Sequence, residues 1–383
     1  MEHKMKNLIF ILIYMSIFSC SGKQEVDFLS IGLEEAFDVA KQKDKLVMVD
    51  FFSKTCMPCV RLVNTVFKDK LISKYINQQF ISVKLTADTH DNYWELREYY
   101  NVVGLPTVIF FNSEGNEIDR NCGFNGDKKQ YYQTIKDYVS NKNTLLILLA
   151  NYKSDSLSIE NNYNLAMKYV TRDELIKSYQ YFSNVLNFDK NDQYGYHEKS
   201  QLYLALYKIR FDDEKSLLLN IIANSDNNED VKLGYDYLFN FYEKHKDTSN
   251  YIVACNAAIS RLPARDVAYW RLLNHYKSIN DISMYLSTCK IAIANMPSNS
   301  SYYRNYARAV YQYKLIDNYD EAIEISKTAL DINPDLDKIW YTLSLIYNEL
   351  GYSDNATKAI EAAIKINPNK EEYKSTLKKY DSY

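Results

Sequence analysis

Four prolines mark off the second half of this chain. Pro263, Pro297, Pro334 and Pro368 follow one another at spacings of 34, 37 and 34 residues. Proline lacks an amide hydrogen and clashes with the preceding helical turn, so it stops a helix. A stop recurring at this period divides the chain into short units. Such units bury a continuous core only by stacking on their neighbours. Other positions recur between the stops. The last unit, 337–370, carries Trp340, Leu343, Tyr347, Ala356 and Ala363, and the unit before it Tyr306, Ala309, Tyr313, Ala322 and Ala329. Earlier units carry Tyr269, Leu272, Tyr276 and Ala292, and Tyr235, Leu238, Tyr242 and Ala258. Small alanines let two helices approach, and the aromatic rings fill the space between them. Trp340 is expected to be buried against its neighbour. Upstream, 159–192 fits more loosely through Ala166, Tyr169, Phe182 and Val185, and 193–226 is looser still.

The pattern resembles a tetratricopeptide (TPR) array of four clear and two degenerate repeats over 159–383, clearest over 232–370. That resemblance implies an all-α superhelical solenoid of paired antiparallel helices, with a concave groove for a peptide or protein partner. Cys255 and Cys289 hold one repeat position 34 residues apart. Stacked repeats should keep them beyond the roughly 7 Å Cα limit of a disulfide, so each is expected to be a small buried hydrophobe. His197, His245 and His275 show no metal spacing. Residues 143–158 form a junction whose run 145–150 reads as a helix packed between the halves.

The composition excludes several classes. A 46% hydrophobic and 25% charged chain is globular, and 36 tyrosines argue against disorder. A formal charge of -3 leaves no broad footprint for nucleic acid. Six cysteines in 383 residues cannot be a disulfide scaffold, so each needs its own account.

The N-terminus reads as an address. Lys4 and Lys6 precede an eleven-residue apolar run, 8–18, too short to span a bilayer. Ile17-Phe18-Ser19-Cys20 resembles a bacterial lipobox, although Phe18 replaces the usual small residue. The resemblance implies a signal peptide over 1–19, lipidation of Cys20, a tether over 20–30 and a membrane-anchored lipoprotein of the cell envelope. A plain secretory signal is the alternative. Either places the mature chain where thiols can be oxidised.

Residues 31–142 read as an α/β domain of order βαβαββα. A helix over 32–43 leads to the apolar run 45–52, which suits a buried parallel strand. Cys56-Met57-Pro58-Cys59 follows, then a helical stretch 60–77, a strand 80–85 and a helix 93–100. Strands 107–112 and 117–122 flank the turn Ser113-Glu114-Gly115-Asn116 as a hairpin, and a helix over 128–141 closes the domain. A lone C-x-x-C serves zinc as readily as redox chemistry. Zinc needs two further ligands, whereas Cys122 has no paired neighbour and His90 stands alone, so no metal is expected. For redox chemistry, a thiol at a helix N-terminus faces unpaired N–H groups and the positive end of the dipole, which stabilise thiolate. A second thiol three residues on lies one turn away. Pro58 fits the first turn, where a missing N–H is harmless.

Val49-Asp50-Phe51-Phe52 ahead of this motif, Val83-Lys84-Leu85, Val103-Gly104-Leu105-Pro106-Thr107 and Gly123 together resemble the thioredoxin family, in the correct order over about 110 residues. The span looks like the periplasmic thioredoxin-like domain of DsbD-type disulfide reductases. The resemblance implies that Cys56 is the exposed nucleophile and Cys59 the buried resolving thiol. It makes Asp50 the proton acceptor behind Cys59, and Lys84 its charge partner. It makes Pro106 cis, where an isolated X-Pro would be trans, and it assigns Met57, Pro58, Leu105 and Pro106 to substrate binding. Two departures stand out: Thr55 replaces the usual tryptophan, and Met-Pro replaces Gly-Pro, which shifts reduction potential. Cys122, before Gly123, is either a small apolar strand-end residue or a third redox thiol near Cys56.

The leading expectation is an extracytoplasmic thiol–disulfide oxidoreductase, leaning to reductase or isomerase. It needs no cofactor, takes protein thiol or disulfide substrates, draws on a redox donor protein and uses its TPR half to hold a partner. The alternative is a TPR scaffold in which the thioredoxin-like half only docks; an intact Cys-x-Pro-Cys and Asp50 speak against it. A peroxide-detoxifying site would want a threonine and an arginine beside the cysteine, and only Arg61 is near.

Overall fold

The computed structural model describes residues 25–380; the expected signal peptide over 1–19 and Cys20 lie outside the described residues. No helix among those described is long and apolar enough to cross a membrane. The chain divides into two compact units, one ending at Leu204 and the other starting at Ala205.

The first unit opens with β1 (Phe28–Leu29), α1 (Leu33–Lys43), β2 (Leu46–Phe52), α2 (Met57–Leu62), α3 (Lys70–Gln79), β3 (Phe80–Thr86), α4 (Tyr93–Tyr99), β4 (Thr107–Phe111), β5 (Glu117–Cys122) and α5 (Lys128–Val139). The sheet order is β1-β3-β2-β4-β5. β2 and β3 are parallel, whereas β4 runs antiparallel to both β2 and β5. This is the expected α/β arrangement with one correction: two-residue β1, too short to show a pattern, pairs parallel with β3, so 28–29 belong to the sheet and not to the tether expected over 20–30.

β2 is central and buried from Val47 to Phe51, and its alternation divides two cores. Val47, Val49 and Phe51 pack with Ala36 and Val83 of one cluster. Met48 packs with Leu62, Val66 and Phe110 of the other. Asp50 therefore points to the Met48 face, the one that the cysteine-bearing helix covers. That helix does not run unbroken to residue 77. It passes into a π-turn, Val63–Phe67, and stops where the Asp69 carboxylate accepts the N–H groups of Leu71 (3.0 Å) and Ile72 (3.2 Å) to start α3.

The unit continues through α6 (Leu145–Ser154), α7 (Ile159–Thr171), α8 (Leu175–Phe188) and the start of α9 (His197–Phe211). Thr144 caps α6 by accepting the Ile147 N–H, so the expected junction is helical.

The second unit is helical throughout its described residues. After α10 (Ser216–Asn224) come four pairs: α11 (Asn228–Lys244) with α12 (Thr248–Arg261), α13 (Asp266–Ser278) with α14 (Ile282–Asn295), α15 (Ser300–Gln312) with α16 (Tyr319–Ile332), and α17 (Asp337–Glu349) with α18 (Ser353–Ile366). α19 (Glu371–Tyr380) follows. Each repeat proline sits two residues beyond a second helix, and the periodic Ala258, Ala292, Ala329 and Ala363 are buried. The carbonyls of three of these prolines accept an aromatic donor: Tyr269 Oη at 2.9 Å on Pro263, Tyr303 Oη at 3.0 Å on Pro297 and Trp340 Nε1 at 2.9 Å on Pro334.

That ladder corrects one sequence register. Tyr303, not Tyr306, is equivalent to Tyr269 and Trp340. The three extra residues of the 37-residue interval lie in the turn before α16, where Ile316–Asn318 forms a 3₁₀ segment. Trp340 is half-buried rather than buried, because its indole N–H reaches the proline carbonyl at the edge of the unit.

Candidate functional site

Cys56 is the N-cap of α2 in extended conformation, and Cys59 lies one turn in. The two form a disulfide with Cα atoms 5.3 Å apart. Cys56 Sγ also accepts the Cys59 N–H at 3.2 Å. The sulfurs are unequal: Cys56 is half-buried beside 69% exposed Met57 and exposed Pro58, whereas Cys59 is fully buried.

Asp50 is fully buried, and among the described residues neither carboxylate oxygen has a hydrogen-bond partner. Its cationic neighbour is Lys84, opposite it in the β2–β3 register, with Nζ 3.6 Å from Oδ2. The Lys84 ammonium is itself held over the Phe28 and Phe52 rings at 4.2 and 4.7 Å. Burial pushes Asp50 up to about 6, and Lys84 only partly opposes it. A carboxyl so placed changes charge near neutrality.

The Leu105–Pro106 bond is cis. The backbone around it is pinned on both sides. Arg97 donates to the carbonyls of Val102 (2.9 Å) and Val103 (2.8 Å), and Arg120 donates to that of Tyr100 (2.7 Å). The Thr107 hydroxyl donates to Gly104 O at 2.8 Å, and Gly123 N–H to Pro106 O at 2.8 Å. The Leu105 backbone groups have no partner among the described residues. Pro106 is buried and Leu105 half-buried.

Cys122 lies opposite Thr107 in the β4–β5 register, and burial pushes its thiol up. Its Sγ donates to Arg172 O at 3.3 Å. Cys255 and Cys289 are free and buried, and burial pushes both up to about 12.

Three features escaped the sequence reading. Asp119, Lys168 and Arg172 form a buried ionic cluster between β5 and α7, with Lys168 Nζ 2.9 Å and Arg172 Nη1 2.6 Å from the Asp119 carboxylate. Asp189, Asp192 and His197 bring possible ligand atoms within 4.8 Å of one another, though both carboxylates already accept backbone N–H groups of the same loop. In the second unit a cavity of about 770 Å³ is lined by Arg304, Arg308, Lys338, Lys370 and Lys379 against one acid, Glu372. Spacing in sequence gave no signal for any of these, because each gathers residues from several elements or from both ends of a loop.

Fold and site together define a thioredoxin-like domain carrying a Cys-x-x-Cys disulfide, joined in one chain to tetratricopeptide repeats. Residues 33–138 match the thioredoxin-like domain family, and residues 337–370 match the tetratricopeptide repeat. The thiol:disulfide interchange protein DsbD of Colwellia psychrerythraea is 32% identical over 127 residues, which cover 31% of this chain and 21% of that protein. The chain thus spans about a fifth of the length of that curated relative. Among solved structures, a DsbH oxidoreductase is similar at 18% identity and a TM-score of 0.27, over 30% of this chain and 88% of its own. The TPR protein YrrB, with an unusual peptide-binding site, is similar at 12% identity and a TM-score of 0.30, over 60% and 97%.

Proposed function

We propose that this protein is an extracytoplasmic thiol–disulfide oxidoreductase, reducing or isomerising protein disulfides, with its repeats holding a partner. In this reading residues 31–142, with β1 ahead of them, are the redox domain, 143–158 the junction and 159–383 the partner-binding half. The observation that carries it is the pairing of unequal sulfurs with a buried carboxyl that accepts no hydrogen bond among the described residues: exposed-side Cys56, buried Cys59, and Asp50 on the sheet face beneath their helix.

The exchange starts from the reduced pair. The Cys56 thiolate attacks one sulfur of a substrate disulfide, and the other sulfur leaves as thiolate. Cys59 then gives its proton to Asp50, and its sulfur attacks Cys56 Sγ, releasing the second substrate thiol. The substrate gains two electrons and Cys56–Cys59 becomes a disulfide, which a redox donor protein must reduce again. The unpaired Leu105 backbone offers an extended substrate a strand-like contact beside Cys56, with Met57, Pro58 and Pro106 forming the surrounding surface. The positive cavity of the second unit suits an acidic segment of the partner. Cys20 is read as the lipid-bearing residue, so Cys20→Ala should release the chain from membranes.

Insulin reduction tests the assignment. Wild type should turn over with a thiol donor, and Cys59→Ser should stall as a trapped mixed disulfide through Cys56. If Cys59→Ser reduces insulin as fast as wild type, the pair is not the reacting centre. That result would favour the scaffold reading.

A further inference from the structure

The loop carrying cis-Pro106 has a support from outside the sheet domain. The turn between α7 and α8, Arg172 to Glu174, packs against it. Asp173 Oδ2 lies 3.4 Å from where a Cβ on Gly104 would stand, so the turn stands beside the residue just before Leu105. Cys122 Sγ donates to the Arg172 carbonyl at 3.3 Å. The same sulfur lies 3.4 Å from the Thr107 hydroxyl, which donates to Gly104 O at 2.8 Å. A continuous set of contacts thus runs from the end of α7, through Cys122 and Thr107, to the backbone beside Leu105.

The turn itself is tied down by charge. Arg172 Nη1 reaches Asp119 Oδ1 at 2.6 Å and Glu117 Oε1 at 2.9 Å, and its Nε reaches Glu174 Oε1 at 2.9 Å. Lys168, one turn earlier, holds Asp119 Oδ2 at 2.9 Å. Arg172 is only 9% exposed and Asp119 not at all. Hydrogen bonds between buried ionised groups are strong and directional, so the turn is fixed in position, not merely in contact.

We propose that Arg172 is a positioning residue of the thiol site. It fixes the α7–α8 turn, and the turn, through the Cys122 thiol, holds the Gly104–Pro106 segment where a polypeptide disulfide must lie. Cys122 acts here as a hydrogen-bond donor and not as a third redox thiol. The inference rests on the roles given above to Cys56 and Leu105. A polypeptide substrate uses the loop; a small disulfide needs only the Cys56 sulfur. Loosening the loop therefore raises KM for the first and spares the second. Displacements of about 1 Å cost up to about 100-fold at reacting centres, and a support two contacts away should be worth about tenfold.

The decisive variants are Cys122→Val, which removes the donor at similar size, and Cys122→Ser, which keeps a donor and removes the sulfur. Both are made in the full chain and assayed with insulin and with hydroxyethyl disulfide. Cys122→Val should raise KM for insulin about tenfold while the hydroxyethyl disulfide rate stays within about twofold. Cys122→Ser should retain most of the wild-type KM. Arg172→Met should reproduce Cys122→Val, and Arg172→Lys should recover part of the loss; melting curves show which variants remain folded. Equal losses in Cys122→Ser and Cys122→Val would mean that the sulfur itself reacts. Parallel loss on both substrates, or no change in Cys122→Val, would also overturn the proposal. If wild type reduces neither substrate, it is the redox reading that fails.

Discussion

Two fully buried aspartates lie two strands apart in one sheet, and they are treated in opposite ways. Asp119, on β5, accepts four donors: Arg172 Nη1 and the Arg120 N–H on one oxygen, Lys168 Nζ and the Leu145 N–H on the other. Asp50, on β2, accepts none among the described residues and faces a lysine at 3.6 Å. The first carboxylate is saturated and serves architecture, joining β5 to α6 and α7. The second keeps its lone pairs and, with its pKa pushed up to about 6, is able to take and return a proton. Burial alone does not separate these two acids; the donor count does.

Removing the saturated acid should have the largest effect. Asp119→Ala leaves Lys168, 9% exposed, without its carboxylate and Arg172 with only Glu117 and Glu174. Breaking buried ion pairs from one side typically costs about 3–5 kcal/mol. Urea unfolding should show a loss of that order, and a loss below about 1 kcal/mol would erase the contrast.

Asp50→Asn should act in the opposite direction. Folding raises the Asp50 pKa from 3.8 to about 6, so between these values the folded state keeps a proton that the unfolded state has released. Stability contributed by this group therefore falls as pH rises through that window, and it is fully lost above it. The difference corresponds to roughly 3 kcal/mol at neutral pH. The variant should gain stability over wild type as pH rises from about 4 to 7, with little difference below the unfolded value. A gain independent of pH would show that charge burial is not its source.

The second unit extends the comparison, since its buried residues are mainly aliphatic and aromatic. A Cβ added at Gly234 of α11 would meet Ile222 Cγ1 at 2.7 Å and Cδ1 at 3.1 Å. Gly234→Ala should therefore destabilise by about 1–3 kcal/mol despite its better helix propensity. A stabilised variant would mean that α10 gives way freely. Tyr269→Phe should cost about 1 kcal/mol, because its hydroxyl serves both Pro263 O at 2.9 Å and Asn295 at 2.7 Å. An unchanged midpoint would demote the aromatic–proline ladder to coincidence.

These differences mirror what sequence could convey. The thioredoxin-like half was legible because it is local: two residues separate Cys56 from Cys59, and the apolar run 45–52 already implies that Asp50 is buried. The repeat half was legible through its prolines, yet sequence could not say where the three extra residues of the 37-residue interval fall. The register of α15 was therefore read three residues late. The ionic cluster around Asp119 left no trace. Glu117-Ile-Asp-Arg-Asn reads as a polar hairpin strand, and Arg172, which saturates Asp119, is 53 residues away. An ionic partner at that separation has no period or motif to announce it. β1, at two residues, is likewise fixed by its pairing with β3 and not by its own composition.

The central claim is that Asp50 receives the Cys59 proton as the mixed disulfide is resolved. Its most direct test is to time the two half-reactions separately, by rapid quench across pH, in wild type and Asp50→Asn. Resolution in wild type should show an inflection near pH 6, the value to which burial pushes Asp50. In Asp50→Asn that inflection should vanish and resolution should slow about 100-fold, with formation of the mixed disulfide changed by less than about twofold. Equal slowing of both steps, or an inflection that survives the substitution, would contradict the account.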